Sequence, residues 1–441
     1  MIRLNPRSLI LLGCALLLSC VAAAHASGED LSQEPVRLTV DDAIERALRA
    51  NRELEINRLQ LESERRIAES AWNRFLPSLS ASSSLSRQLP DRDSDPYSVS
   101  LGTQTSLSLS LAKIREGRKA MLEYERGQIS YQQAEGLLRR DVRRAYYALL
   151  VQQEKLRIKR DAVETAEMRY RRSEAEYEDG LVSRYTVLSD RVSRQRLLPE
   201  LGALQDDLRS AEAEFALLLG YPRETRIELQ DELEVEIIEL DRERMIAIYR
   251  DTRPAVRSEE LRLEEDELAE RLARERNVPS LSLSYSFSRT HATPFSDSWV
   301  DRDSWSSSGQ AQVSLSLSLD RLFPGSEARV AAENRERRMA ERELRLIDLR
   351  EEAAEEIERL VRRVERAEEA LEVRRLTKET AELAYELAEQ EYEDGFLDAL
   401  ELRNAALELE ETRLSVLEEQ LRVLNAYAEL EYLLGDHGRG L

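Results

Sequence analysis

From Tyr97 onward the chain alternates with period two. Tyr97, Val99, Leu101, Thr103, Thr105, Leu107, Leu109 and Leu111 are separated in turn by Ser, Ser, Gly, Gln, Ser, Ser and Ser. The same rhythm returns in Leu79 to Ser86, in Leu281, Leu283, Tyr285 and Phe287, and in Val313, Leu315, Leu317 and Leu319. Successive side chains of a strand point to opposite faces, so the pattern predicts four strands, at about 76–89, 97–111, 278–289 and 308–319. Ten residues at about 3.3 Å each reach about 33 Å, and a run that is apolar on one face and serine on the other suits a barrel strand between lipid and a wet lumen. The soluble alternative, half-buried strands of a sandwich, lacks a second sheet to cover them. The two hairpins are also far apart in sequence, and an isolated hairpin is not stable in water.

Elsewhere the period lengthens. Leu138, Val142, Ala145, Leu149, Gln152 and Leu156 follow a 4-3-4-3-4 spacing, as do Ala353, Ile357, Leu360, Val364, Ala367 and Leu371. Such narrow seams predict long helices packed side by side as coiled coils. From about Arg115 to Tyr177 the pattern lasts some 60 residues, or about 90 Å at 1.5 Å per residue. Gly180 and Gly395 stand where each long helix must stop and return, and Gly220 and Gly435 where the return helices end, glycine being the usual residue of a left-handed C-cap.

The two sets of elements are copies of one plan. Tyr177-Glu178-Asp179-Gly180 recurs as Tyr392-Glu393-Asp394-Gly395, and Leu218-Leu219-Gly220 recurs at the same offset as Leu433-Leu434-Gly435. Pro77-Ser78-Leu79-Ser80 answers to Pro279-Ser280-Leu281-Ser282. These anchors divide the chain into a first repeat at 41–220, an acidic connector at 221–241, a second repeat at 242–435 and a tail at 436–441. The expected fold is mainly α with a membrane β-barrel part, built from a duplicated helix, β-hairpin, helix unit. Four strands cannot close a barrel, since closed ones start at about eight, so the hairpins are expected to pair with those of other copies. Two copies give eight strands and three give twelve, and only the larger ring leaves an open lumen.

Composition changes this picture at three points. Charged residues make up 34% of the chain and aromatic residues 5%, with Asp plus Glu exceeding Lys plus Arg by 87 to 65 and a formal charge of −22. That balance disfavours non-specific binding to nucleic acid or to anionic lipid surfaces, both of which need basic patches. The N-terminus, with Arg3 and Arg7 before an apolar stretch from Leu9 to Ala24 and an Ala24-His25-Ala26 box, reads as a secretory signal peptide over 1–26. A second reading stays open there, because Leu17-Leu18-Ser19-Cys20 resembles a bacterial lipobox whose Cys20 would be lipidated. Third, enzyme chemistry is disfavoured. Past the signal the histidines are His291 and His437, placed in a loop and in the tail, and no CxxC, HExxH, phosphate-binding glycine loop or nucleophile elbow occurs. No catalytic residue, metal ligand or cofactor is expected.

Four segments, Ala43 to Leu54, Leu76 to Ser80, Tyr177 to Val182 and Ala216 to Gly220, have second-half counterparts in Arg253-Pro254, Val278 to Ser282, Tyr392 to Leu397 and Tyr432 to Gly435. In this order and in a duplicated frame, the chain resembles a TolC-type outer-membrane efflux protein. The resemblance implies a homotrimer, with four strands per chain in one twelve-stranded barrel and the helices forming a periplasmic tunnel. It implies a passive exit duct for drugs, metal ions or polypeptides in a tripartite efflux or type I secretion system, coupled through a periplasmic adaptor to an inner-membrane transporter and embedded in outer-membrane lipid. Adaptor docking maps onto two tips, Asp179, Gly180, Leu181 and Val182, and Asp394, Gly395, Phe396 and Leu397. The family's periplasmic gate maps onto Tyr392, Glu401, Asn404 and Thr186. Leu397 stands where the family has a basic residue, so that network is not reproduced residue by residue. Glu401 is expected to form an acidic ring in the trimer. The rival reading is a periplasmic coiled-coil structural or adaptor protein without a pore.

Overall fold

A computed structural model describes residues 35–87, 97–274, 279–292, 305–317, 319, 323 and 325–435. The signal segment with Cys20, the strand-connecting loops, His437 and the tail lie outside the described residues. A short strand β1 (Val36–Leu38) leads into α1 (Val40–Ala50) and α2 (Arg52–Glu69), a 3-10 turn, then β2 (Ser78–Arg87) and β3 (Tyr97–Leu109). Helices α3 (Leu111–Glu178) and α4 (Arg184–Leu218) follow, and then β4 (Ile227–Leu229) in the connector. The order repeats as α5 (Arg242–Thr252), α6 (Pro254–Arg274), β5 (Ser280–Ala292), β6 (Ser306–Ser316), α7 (Glu327–Glu393) and α8 (Ala399–Leu434). Among the described residues no helix is long and apolar enough to cross a membrane.

The 68 residues of α3 span about 100 Å. Its lower half pairs with α4 and its upper half with α2, where Gly127 lets Leu61 and Glu64 approach. Helix α7, 67 residues long, pairs in the same way with α8 and α6, and the two units join along α3 and α8. The seam of the second unit is as the heptads require: Ala353, Ile357, Leu360, Val364, Ala367 and Leu371 are all buried. In α3 the seam differs from its heptad reading. Leu138, Val142, Leu149 and Leu156 are buried, but Tyr146 replaces Ala145 as the buried residue, and Val151 and Ile158 form a second stripe against Leu417 of α8. A helix with neighbours on two sides buries more than one narrow stripe.

The waist of the molecule explains why Tyr146 goes inside. Its hydroxyl donates to the Leu38 carbonyl at 3.0 Å and accepts from the Asp231 amide at 3.2 Å, tying β1 and the connector to the long helix. Burial pushes this phenol up to about 12. Strands β1 and β4 pair in parallel beside it, and Asp231 accepts the Val40 amide at 2.7 Å. Thr39 and Asp42 cap α1 reciprocally, which is the capping box. Asn51 then closes α1, caps α2 through the amides of Glu53 and Leu54, and donates to the Leu218 carbonyl at 3.0 Å. Gly220 completes this joint with φ +77, its amide bonded to Leu217 and the next amide, of Tyr221, to Ala216.

At the other end of α3 and α7 the two hairpins form one antiparallel sheet in the order β2-β3-β5-β6. The sequence reading of two isolated hairpins is corrected here: within one chain β3 and β5 pair with each other from Ser98↔Ala292 to Leu109↔Leu281, which leaves β2 and β6 as the edges of the sheet. Strand β5 runs on to Ala292, so His291 lies in a strand and not in a loop, buried with its ring 5.4 Å from Trp305. Leu317 and Leu319 lie past the end of β6. The register places Leu79, Leu101, Leu107, Leu283, Tyr285, Phe287, Val313 and Leu315 on one face, all partly or largely accessible in the single chain. The opposite face is serine, with hydroxyl pairs across strands at Ser78 and Ser106 (2.7 Å), Ser84 and Ser100 (2.7 Å) and Ser288 and Ser308 (2.8 Å).

A Cβ at Gly220 would stand 2.5 Å from the Ala50 carbonyl oxygen, whereas one at Gly180 meets nothing within 4 Å. Gly220→Ala is therefore expected to destabilise the protein by about 1–3 kcal/mol, and Gly180→Ala by about 1 kcal/mol, from backbone strain alone. Thermal unfolding of the two variants in detergent checks the order; equal losses would contradict it.

Candidate functional site

The end of the molecule opposite the sheet is built from two helix-turn-helix tips. In the first, α3 ends in a Schellman motif: the Gly180 amide bonds the Tyr177 carbonyl at 3.0 Å and the Leu181 amide bonds Glu176 at 2.8 Å, with Gly180 at φ +76. Ser183 then caps α4 by accepting from the Thr186 amide at 3.3 Å. The second tip repeats the device. Gly395 has φ +80, its amide bonds Tyr392 at 3.1 Å, and the Phe396 amide bonds Glu391 at 2.8 Å. Asp398 caps α8 through the amides of Leu400 (2.8 Å) and Glu401 (2.9 Å).

These short turns force apolar side chains into solvent. Leu181 is 75% exposed and Phe396 85%, with Tyr185 also largely exposed beside the first tip and Leu400 half exposed beside the second. Val182 and Leu397 are half-buried beneath them, and Asp179 and Asp394, the C-cap residues, are exposed. Each tip is thus one large apolar side chain on a rigid turn, flanked by carboxylates, with open space over its glycine. Such a surface fits a partner that brings an apolar pocket with basic groups around it.

Behind the tips a cleft of about 1600 Å³ runs between the two hairpins. Tyr392 is half-buried and lines it. The other residues mapped onto a gate do not join it. Glu401 and Asn404 are exposed on another side of α8 and are absent from the cleft wall, and the Thr186 hydroxyl lies 3.1 Å from the Ser183 hydroxyl within its own cap. Within one chain the four stand apart, and no hydrogen bond joins any two of them among the described residues.

The cleft is spanned instead by residues that sequence reasoning did not single out. Lys159 of α3, its side chain 12% exposed, bonds Glu200 of α4 at 3.0 Å and, more closely, Glu410 of α8. Burial alone would lower its ammonium, but the hydrogen bonds to Glu410 and Glu200 outweigh this and hold it above the ordinary lysine value. Higher in the same groove toward the tips, Arg169 donates to the Tyr385 hydroxyl at 3.3 Å, joining α3 to α7. Arg194 of α4 pairs with Glu167 and lies over the Tyr170 ring. The partners of Lys159 are 41 and 251 residues away, a separation that no local pattern reports.

The comparisons with known proteins fit this geometry. The family described as "Outer membrane efflux protein" matches residues 43–221 and 246–436. Among solved structures, the CmeC outer membrane channel of Campylobacter jejuni is similar with a TM-score of 0.73 at 15% identity, over 90% of this chain and 86% of that one. The outer membrane protein VceC of Vibrio cholerae gives 0.68 at 16% identity, over 90% and 96%. The open state of the Neisseria gonorrhoeae MtrE outer membrane channel gives 0.68 at 18%, over 90% and 89%. At these identities the likeness establishes a shared fold. No curated protein matches the sequence.

Removing the Lys159 ammonium leaves Glu410 nearly buried without its cation. Lys159→Met is expected to destabilise the junction of α3, α4 and α8 by about 1–3 kcal/mol, and the pair Lys159→Met with Glu410→Leu to recover most of that. Denaturant unfolding of both variants is the check, and equal losses in the single and double variants would contradict the pairing.

Proposed function

This chain belongs to the outer membrane efflux protein family, and from that premise we propose that it is the outer-membrane exit duct of a tripartite efflux or type I secretion system. It resides in the outer membrane, in a family of channels rather than enzymes, which sets aside the periplasmic protein without a pore. One observation carries the finer reading. A four-stranded sheet, apolar on one face and serine on the other, sits at the N-terminal ends of the long helices α3 and α7, and among the described residues both of its edges, β2 and β6, are unpaired.

In lipid every backbone amide and carbonyl needs a partner, so an open sheet cannot remain open. Three copies side by side, each β2 edge against the β6 edge of the next, give a twelve-stranded barrel with the apolar face outside and the serine face around a lumen. The helices continue this ring as a tunnel in the periplasm. Exposed apolar residues on the outer sides of α4 (Leu188, Val192) and α7 (Leu376, Leu383, Leu387) supply contacts between copies. The duplicated repeats make the ring nearly six-fold from three chains.

The tips carry Leu181 and Phe396 toward a periplasmic adaptor, which links the duct to an inner-membrane transporter. The duct itself is passive. The charge of the helices gives the tunnel a bias toward cations, and Glu401, exposed on α8 near the second tip, contributes a carboxylate from each copy to a ring close to the mouth.

The test is fractionation followed by gel electrophoresis without heating. The expected result is an outer-membrane species at the mass of three chains that dissociates on boiling; a monomer extracted by carbonate would overturn the reading. In planar bilayers the protein is expected to conduct with cation preference. Glu401→Gln is expected to reduce that preference without changing the oligomer, and unchanged selectivity would remove Glu401 from the mouth.

A further inference from the structure

The apolar face of the sheet carries a cation where a lipid-facing surface should have none. Going from the helical end outward, cross-strand rows of this face read Leu109, Leu281 and Leu315, then Leu107, Leu283 and Val313, then Thr105, Tyr285 and Ala311, then Thr103, Phe287 and Gly309. The next row is Leu101, Arg289 and Ser307. Arg289 is exposed, and among the described residues its Nε donates to the Ser307 hydroxyl at 3.2 Å. Among the described residues no carboxylate lies within ion-pair distance of it.

Its height is fixed by the strand. Arg289 stands nine residues beyond Ser280, which is about 30 Å along the strand and, at a tilt near 40°, about 23 Å above the helical end. The apolar band of such barrels is about 25 Å tall, so Arg289 lies at its outer limit. The row beyond it holds His291 packed on Trp305, aromatic material of the kind that marks a membrane interface. At that depth an arginine costs little if its guanidinium meets an anion, and the sheet supplies none.

We propose that Arg289, oriented by Ser307, binds the phosphate of an outer-leaflet lipid headgroup. With Nε held by Ser307, the two terminal nitrogens are left as a planar fork that matches a pair of phosphate oxygens, a geometry lysine does not offer. The formal charge of −22 does not oppose this, because the acidic residues are concentrated on the helices and none lies in this row. The inference rests on the reading that this face of the sheet meets lipid.

The experiment uses the full-length protein in detergent, exposed to lipid A bearing both phosphates, to the same lipid with its phosphates removed, and to inorganic phosphate, with retained ligand read by native mass spectrometry. Phosphorylated lipid A is expected to be retained about tenfold better by the native protein than by Arg289→Gln, with Arg289→Lys and Ser307→Ala between them. Dephosphorylated lipid A is expected to show no difference between the variants. Equal retention of phosphorylated lipid A by the native protein and Arg289→Gln would overturn the site, and displacement by millimolar inorganic phosphate would overturn the lipid as its source. Leu283→Trp, on the same face, separates the two levels: its fluorescence is expected to be quenched by lipids with brominated chains. Quenching together with an Arg289→Gln variant that behaves as native rejects the phosphate site alone, while absence of quenching rejects the lipid-facing reading and the site with it.

Discussion

The pairing of β3 with β5 is the interaction on which the rest of the structure depends. Each hairpin alone would be a two-stranded ribbon of marginal stability. Joined from Ser98↔Ala292 to Leu109↔Leu281, the hairpins share one pleat, and because the side-chain period is two, a slip of one residue would send the leucines of one hairpin to the serine face of the other. In the register observed, Leu107 meets Leu283 and Thr105 meets Tyr285, so a single apolar face extends over all four strands. The same pairing brings α3, which follows β3, against α6, which precedes β5, so the two repeats meet directly below the sheet, about 100 Å from the tips.

Below the sheet, stability comes from a different source. The helices bury narrow rows of Leu, Val, Ile and Ala, and hold their outer faces in water with many Arg and Glu ladders four residues apart, such as Arg65 with Glu69 and Arg172 with Glu176. Exposed pairs of this kind each contribute little. The interactions with more at stake cross between helices in half-buried ground. Glu259 of α6 is gripped by Arg342 of α7 at 2.8 Å and by Arg262 at 3.1 Å, and Lys159 does the equivalent between the two hairpins. At such points removal of one partner strands the other, so these pairs act as register marks along otherwise repetitive helices.

What the sequence made legible follows from the range over which each signal acts. Period two and period 3.5 are local, so the serine-spaced segments are strands and the heptad segments are helices, and the glycines at 180 and 395 are the left-handed stops of the long helices. The joining of β3 to β5 was not legible, because its partners are some 180 residues apart and alternation says nothing about which edge a strand seeks. Choosing Ala145 for the α3 seam failed for a related reason: the heptad counts one neighbour, and Tyr146 is drawn inward by a carbonyl and an amide from elsewhere in the chain. His291 read as loop because the polar run Arg289 to His291 hides the end of β5. At the tips, turn chemistry identified the exposed positions. The residues mapped onto a gate stand apart within one chain, and contacts between chains leave no local pattern in a sequence.

Three of the glycines with positive φ are not equivalent in what they exclude. Gly220 is confined twice against an L side chain, by its backbone dihedral and by the Ala50 carbonyl pressed against the place a Cβ would take. Gly180 and Gly395 are confined once. With nothing within 4 Å of the position a Cβ would take, their requirement is purely one of chirality. A D-amino acid would satisfy their dihedrals without strain. A mirror-image residue introduced by chemical ligation at either tip could therefore carry a probe on the backbone itself, at the point of the molecule that leads into the periplasm, while the helix ends beside it keep their hydrogen bonds.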